Sequence, residues 1–158
     1  MPISSTLSTR LQYQHKSLVD IIDGLTDEQV RRPVNLGKWS IFENMVHLQT
    51  YQHVFIARVR QILSGDHPHF ERYSAEGDPY FQENCAKSTR EIMQDLLGVR
   101  KEMASEIIRF KDEDFHKKGQ HPVYGDLDLQ QWLHFFLLHE AHHLFTIFKL
   151  ASELRARG

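Results

Sequence analysis

The sequence predicts an all-α fold, a four-helix bundle with long connecting loops. Four long stretches carry apolar residues at helical spacing, two of them open on capping boxes, and no segment repeats another. The 158 residues suit one domain over positions 1–158, long enough to bury a core without disulfides or structural metal.

The first helix is expected from about Ser5 to Asp23, with Leu7, Leu11, Leu18 and Ile22 on one face and Gly24 as its stop. Thr26 with Gln29 forms a capping pair that opens a short connector turn, ended by Pro33. Ser40 with Glu43 caps the second helix, where Ile41, Met45, Leu48, Phe55, Val59 and Ile62 follow at helical spacing up to Ser64-Gly65. The polar stretch Asp66 to Pro79, with His67 and His69, is long for a simple connection and suits a loop that covers a site or packs on a partner. The third helix is expected from about Tyr80 to Phe110, with Ile92, Leu96, Val99, Met103 and Ile107 facing inward and Cys85 near its start. Lys111 to Leu127 returns to loop composition, with Gly119, Pro122 and Gly125 framing a small hairpin. Asp128 with Gln131 caps the last helix, which runs to about Leu154 and ends among Lys149, Arg155 and Arg157.

Composition narrows the function. With 19 Lys and Arg against 21 Asp and Glu, the net charge is -2 and there is no basic tail, so the field that nucleic-acid binding requires is missing. The single cysteine, Cys85, excludes an internal disulfide and suits a reducing compartment. Met1 to Thr6 lacks the basic start and apolar run of a signal peptide, and no stretch is long and apolar enough to span a membrane. A soluble cytoplasmic protein is expected.

The chemistry concentrates in the last helix. His139 and His143 lie one turn apart, with Trp132, Phe136, Thr146, Ile147 and Leu150 on the same face. The pair alone fits two core histidines satisfied by hydrogen bonds, or two ligands of one metal ion. His139-Glu140-Ala141-His142-His143 also matches H-E-x-x-H, but a metzincin would carry a further histidine where this chain has Lys149, and no substrate-edge strand precedes the helix. A third ligand must therefore come from elsewhere. On the second helix, His47 lies on the shoulder of the apolar stripe with Asn44 and Tyr51, whereas His53 points away. His142 is an alternative ligand if the last helix is rotated. Glu140 lies about 80° from the His139–His143 axis, and Glu43 is occupied by its cap. Tyr51 is the best additional polar group for catalysis, against an ordinary reading as a bundle-edge side chain.

Several separated landmarks fit one pattern: Gly37-Lys38-Trp39-Ser40 opening the second helix, His47-Leu48 two turns later, His121-Pro122-x-Tyr124-Gly125, and His139-x-x-x-His143. In their order and spacing the chain resembles the DinB-like, or YfiT-like, superfamily of bacterial four-helix bundles across essentially its whole length. The resemblance implies a three-histidine metal site, carried here by His47, His139 and His143. Members often have Arg-Gly-Gln just after the last histidine, where this chain has Leu144-Phe145-Thr146.

Two classes of function follow. Three neutral imidazoles leave an open position on a divalent ion, as in catalytic sites. Zinc and nickel suit the set best, and iron or manganese also accept imidazole. The resemblance implies a transferase that uses a low-molecular-weight thiol such as bacillithiol or mycothiol, with a metal-dependent hydrolase as the variant. The other class is a non-enzymatic metal or ligand binder, or a stress-associated interaction protein. A small molecule is the expected substrate. The last helix is also apolar at Leu137, Ala141, Leu144, Phe145 and Phe148, opposite its histidine face. A homodimer through this helix is expected to cover that stripe, with the two long loops as the alternative cover.

Overall fold

The computed structural model describes residues 3–157. Its first rod is α1 (Ser5–Tyr13), a tight 3-10 turn at Gln14–Lys16, and α2 (Ser17–Ile22). A short α3 (Asp27–Arg31) leads to α4 (Ile41–Leu63), then α5 (Pro79–Asn84) and α6 (Thr89–Ile107). A two-stranded hairpin, β1 (Lys118–His121) and β2 (Gly125–Asp128), precedes α7 (Leu129–Ala156). The α1–α2 rod, α4, α6 and α7 form a four-helix bundle, with α4 against α6 and α7, and the first rod against α6 and α7.

The caps read from sequence are all formed. The Thr26, Ser40 and Asp128 side chains each accept from the backbone N–H three residues on, and Gln29, Glu43 and Gln131 reach back to the cap N–H groups. Two expected helices are broken. The 3-10 turn interrupts the first because Gln14 and His15 answer to distant groups. Gln14 Nε2 donates to the Leu137 carbonyl at 2.8 Å and to Glu140 Oε1 at 3.0 Å, while His15 is buried beside Arg100. The third helix is divided because Ser88 starts a helix of its own, accepting from Glu91 N–H at 3.2 Å while Glu91 accepts from Ser88 N–H at 2.8 Å. The inward face of α6 also differs from expectation: Arg100 is wholly buried on it, and Val99 sits at its margin.

The hairpin pairs antiparallel from Lys118 opposite Asp128 to His121 opposite Gly125. Gly125 turns the chain at φ +73°, a region that glycine adopts without steric cost. The loop after α4 docks on this hairpin, since Phe70 N–H donates to the Gln120 carbonyl at 3.0 Å and Gln120 N–H to Pro68 at 2.8 Å. Gly119 permits the close approach, because a Cβ there would lie 2.9 Å from both Ile62 and Phe70.

The apolar core is divided in two. One cluster contains Leu7, Leu11, Phe55, Val59, Trp132 and Phe136, and the other contains Leu18, Met45, Ile92, Ile147 and Leu150. On both α4 and α7 the changeover between clusters falls where the candidate histidines sit. A polar layer therefore crosses the middle of the bundle. On one side of it, Arg100 pairs with Glu140 in a bidentate contact, donates to Gln52 Oε1 at 2.7 Å and to the Leu11 carbonyl at 3.3 Å, and lies over the Phe136 ring. Four rods meet at this one guanidinium.

His15 belongs to the same layer, and burial, followed by the Arg100 and Lys16 charges, lowers its pKa to about 3. Unfolded His15 takes up a proton below its ordinary value of 6.5, whereas folded His15 stays neutral down to about 3. Its contribution is complete above pH 6.5 and is lost as the pH falls toward 3. Melting temperatures of metal-free protein should fall over that window. His15→Gln should flatten the slope.

The second apolar stripe of α7 is only partly open. Leu137 joins the cluster of Leu7 and Leu11, and Leu144 joins that of Leu18, so the first rod covers this half rather than the long loops. Leu138, Phe145 and Phe148 remain at least half exposed. Among the described residues, no helix is long and apolar enough to cross a membrane.

Candidate metal site

His47 comes from the middle of α4, and His139 and His143 come from successive turns of α7. The two helices pack so that one ligand-capable atom from each imidazole lies within 4.8 Å of the others. His47 Nε2 and His139 Nε2 are 3.1 Å apart, and the His47 and His143 ring centroids are 4.4 Å apart. Asn44, one turn before His47, orients the third ring. Its side-chain N–H donates to the Ser40 carbonyl at 2.8 Å, which leaves Oδ1 to accept from His143 Nδ1–H at 2.9 Å. The His143 proton is thus on Nδ1, and the Nε2 lone pair is left for another partner.

Burial is the first cause that lowers all three imidazole pKa values, to about 3 for His47, about 4 for His139 and about 2 for His143. The neighbouring imidazoles act in the same direction. At neutral pH all three are uncharged lone-pair donors. Among the described residues, the buried Nδ1 atoms of His47 and His139 have no hydrogen-bond partner, so beyond their mutual Nε2 contact these two rings are fixed by packing. Three neutral imidazoles with converging nitrogens match the donor set of an open divalent-metal centre.

Aromatic rings enclose the cluster. Trp39 stacks on Phe81 and lies 5.2 Å from the His47 ring and 6.2 Å from that of His143. Tyr51 is buried with its ring 4.6 Å from His139, and Tyr73 is 5.9 Å from His47. The histidines face a cleft of about 680 Å³, roofed by the loop after α4 and by the hairpin turn. A second opening of about 610 Å³, with Lys38, His142 and Lys149 on its walls, shares Trp39 and His143 with the first. The two long loops, the alternative cover for the second stripe of α7, cover this site instead, as the length of the first one suits.

The other candidate residues fall elsewhere. His142 is exposed in the second opening, outside the converging set. His53 is bonded to Asp95 and His67 to Asp126, both at the surface. Glu140 is turned away from the cluster and held by Arg100, and Glu43 is taken by its cap. Cys85 closes α5, where burial, and after it the Glu43 charge, raises the thiol pKa and makes it a poor nucleophile. Burial also raises the Tyr51 pKa, with Arg58 opposing, so its hydroxyl stays protonated at neutral pH.

Comparisons with known proteins agree with this architecture. The Bacillus subtilis (strain 168) protein YuaE, itself uncharacterized, is 29% identical over 135 residues, which cover 78% of this chain and 83% of YuaE. The fold is similar to that of YfiT from Bacillus subtilis, described as a probable metal-dependent hydrolase with an unusual four-helix bundle topology. The TM-score is 0.82 at 18% identity over 96% of this chain and 90% of YfiT. The four-helix bundle protein TT2238 gives a TM-score of 0.65 at 19% identity, over 90% of this chain and 95% of that one. The family profile of the DinB superfamily matches residues 10–147, which is nearly the whole bundle, and the chain belongs to that superfamily.

Proposed function

We propose that this protein is a metal-dependent enzyme that holds one divalent ion on His47, His139 and His143 and acts on a small molecule in the adjoining cleft. The observation that carries the reading is the convergence of three uncharged imidazole nitrogens at the base of an accessible cleft. An ion held there would act as a Lewis acid and stabilise a sulfur or oxygen nucleophile as its anion near neutral pH. Zinc and nickel are the expected ions, with iron and manganese as alternatives. The chain's own groups do the rest: Asn44 orients His143, Trp39 and Phe81 shield the cluster, and Tyr51, its hydroxyl protonated, packs its ring 4.6 Å from that of His139.

For the reaction class, we favour transfer involving a low-molecular-weight thiol. Cys85 is outside the cleft and its thiol pKa is raised, so an external nucleophile is needed. The hydrolase alternative is favoured by the fold similarity to YfiT. Conjugation of a small thiol to an electrophile, assayed with metal-loaded and chelated protein, decides between them. The thiol reading expects activity that chelation abolishes and that Cys85→Ala leaves largely intact. Activity that survives chelation would refute it, and metal-dependent hydrolysis without thiol turnover would establish the alternative. If the ion binds as proposed, Asn44→Ala should weaken metal affinity about 10–100-fold by releasing the His143 ring, as measured by competition with a chromogenic chelator.

We also propose that two copies pair through α7. Leu138, Ala141, Phe145 and Phe148 recur at alternating steps of three and four residues, the spacing of a helix-pairing seam, and three of them are exposed. An antiparallel twofold pair would set Leu138 against the partner's Phe148 and Ala141 against the partner's Phe145, matching large with small near the axis. Light scattering at micromolar concentration should give twice the 18.6 kDa chain mass, and Phe145→Glu should halve it. A wild-type monomer would contradict the pairing.

A further inference from the structure

The cleft is lined by three polar groups, Arg58, His121 and Tyr51, of which the proposed metal reading draws only on Tyr51. Arg58, on α4 two turns beyond Tyr51, lines the same cleft as Tyr51 and His121. Its Nη2 donates to the Glu71 carbonyl at 2.9 Å, and its guanidinium is 5.1 Å from the Phe70 ring, so it is held in place while its other donors remain. His121 ends β1 and is 8% exposed. Its Nδ1 accepts from Val123 N–H at 3.0 Å and from Tyr124 N–H at 3.1 Å, so in the neutral ring the proton is on Nε2. Burial, and after it Arg58, keeps His121 neutral. The hairpin turn therefore fixes this imidazole as a hydrogen-bond donor on the cleft wall, one ring away from His139 across Phe135.

We infer that Arg58, His121 and Tyr51 form a carboxylate subsite, which selects small substrates carrying a carboxylate a few bonds from the atom that reacts at the three histidines. One guanidinium edge and two neutral donors match a planar monoanion. Glu76 borders both openings and so lies toward Trp39 and His143, while Glu71 and Arg72 line the cleft nearer Arg58. A bound carboxylate would direct the rest of the molecule past Tyr51 toward His139.

This inference rests on the proposed metal reading for the reacting end only, and the two can be tested separately. The probes are 3-mercaptopropionate and 3-mercaptopropan-1-ol, titrated calorimetrically into metal-loaded and chelated protein. The loss of affinity on chelation reports the metal, while the ratio of the two dissociation constants reports the subsite. In the wild type the acid should bind about tenfold or more tightly than the alcohol. Arg58→Met should bring the ratio near one without changing alcohol affinity. His121→Asn, which can still accept the two turn N–H groups, should reduce the ratio while the melting temperature is kept. If chelation changes neither affinity but the ratio persists, the metal reading fails and the subsite stands. Equal affinities in the wild type, an unchanged ratio in Arg58→Met, or no binding of either probe would overturn the subsite.

Discussion

Alanine at His47, His139 or His143 should each reduce the metal content of purified protein to background and abolish metal-dependent activity with it. The three nitrogens lie within 4.8 Å of one another, and two remaining imidazoles would hold an ion far less tightly than three. The loss should exceed the roughly 10–100-fold expected when only an orienting partner is removed. Elemental analysis of each variant, with circular dichroism to verify the helices, checks this. The comparison residues are His142 and His53, which are outside the converging set and should keep full metal content when replaced. Cys85→Ala should likewise retain metal, because its thiol does not line the cleft. If the His142 variant lost metal while the His143 variant kept it, the register of α7 would be wrong.

The largest effect on stability is expected at the Arg100–Glu140 pair. Both side chains are almost completely buried, so removing one partner leaves a charge in the core without compensation. Glu140→Ala or Arg100→Met should each cost about 3–5 kcal/mol, read from urea denaturation. The double replacement Arg100→Met with Glu140→Leu should recover most of the loss, because two apolar side chains need no pairing. Glu140 adjoins His139, and Gln14 and Gln52 bond within the same network. The single variants should therefore loosen the helix that carries two of the three histidines before it unfolds. If Glu140→Ala proved as stable as wild type, the layer would not be holding the rods in register.

Much of this architecture is legible in the sequence because its causes are local. Ser40 with Glu43 and Asp128 with Gln131 start the two helices that carry the site, and apolar spacing sets their faces. The turn separating His139 from His143 follows from helix geometry alone, and His47 was within reach of the interior on the same count. What escapes the sequence is set by tertiary contact. Nothing between Tyr13 and Ser17 announces a break. It arises because Gln14 bonds across to Leu137 and Glu140, groups more than a hundred positions away. The division between α5 and α6 is a different case: Ser88 with Glu91 was present as a capping pair, and the apolar spacing on either side obscured it. Arg100 was also visible as a charge one turn from Leu96 and Met103 on the inward face, a position that in a packed helix requires a buried anion. The orienting role of Asn44 depends on how α4 and α7 approach, and that of His121 on a turn whose backbone N–H groups converge on one ring nitrogen. Neither follows from spacing.

X-ray absorption at the edge of the bound metal distinguishes one divalent ion on three imidazoles of this chain from any other ligand set. Protein loaded with one equivalent of zinc should show a first shell with three imidazole nitrogens at about 2.0–2.1 Å, completed by light atoms from solvent. The His47→Ala protein should lack that shell. A first shell dominated by carboxylate oxygen or by sulfur, or a spectrum of the wild type identical to that of His47→Ala, would rule out a three-histidine centre.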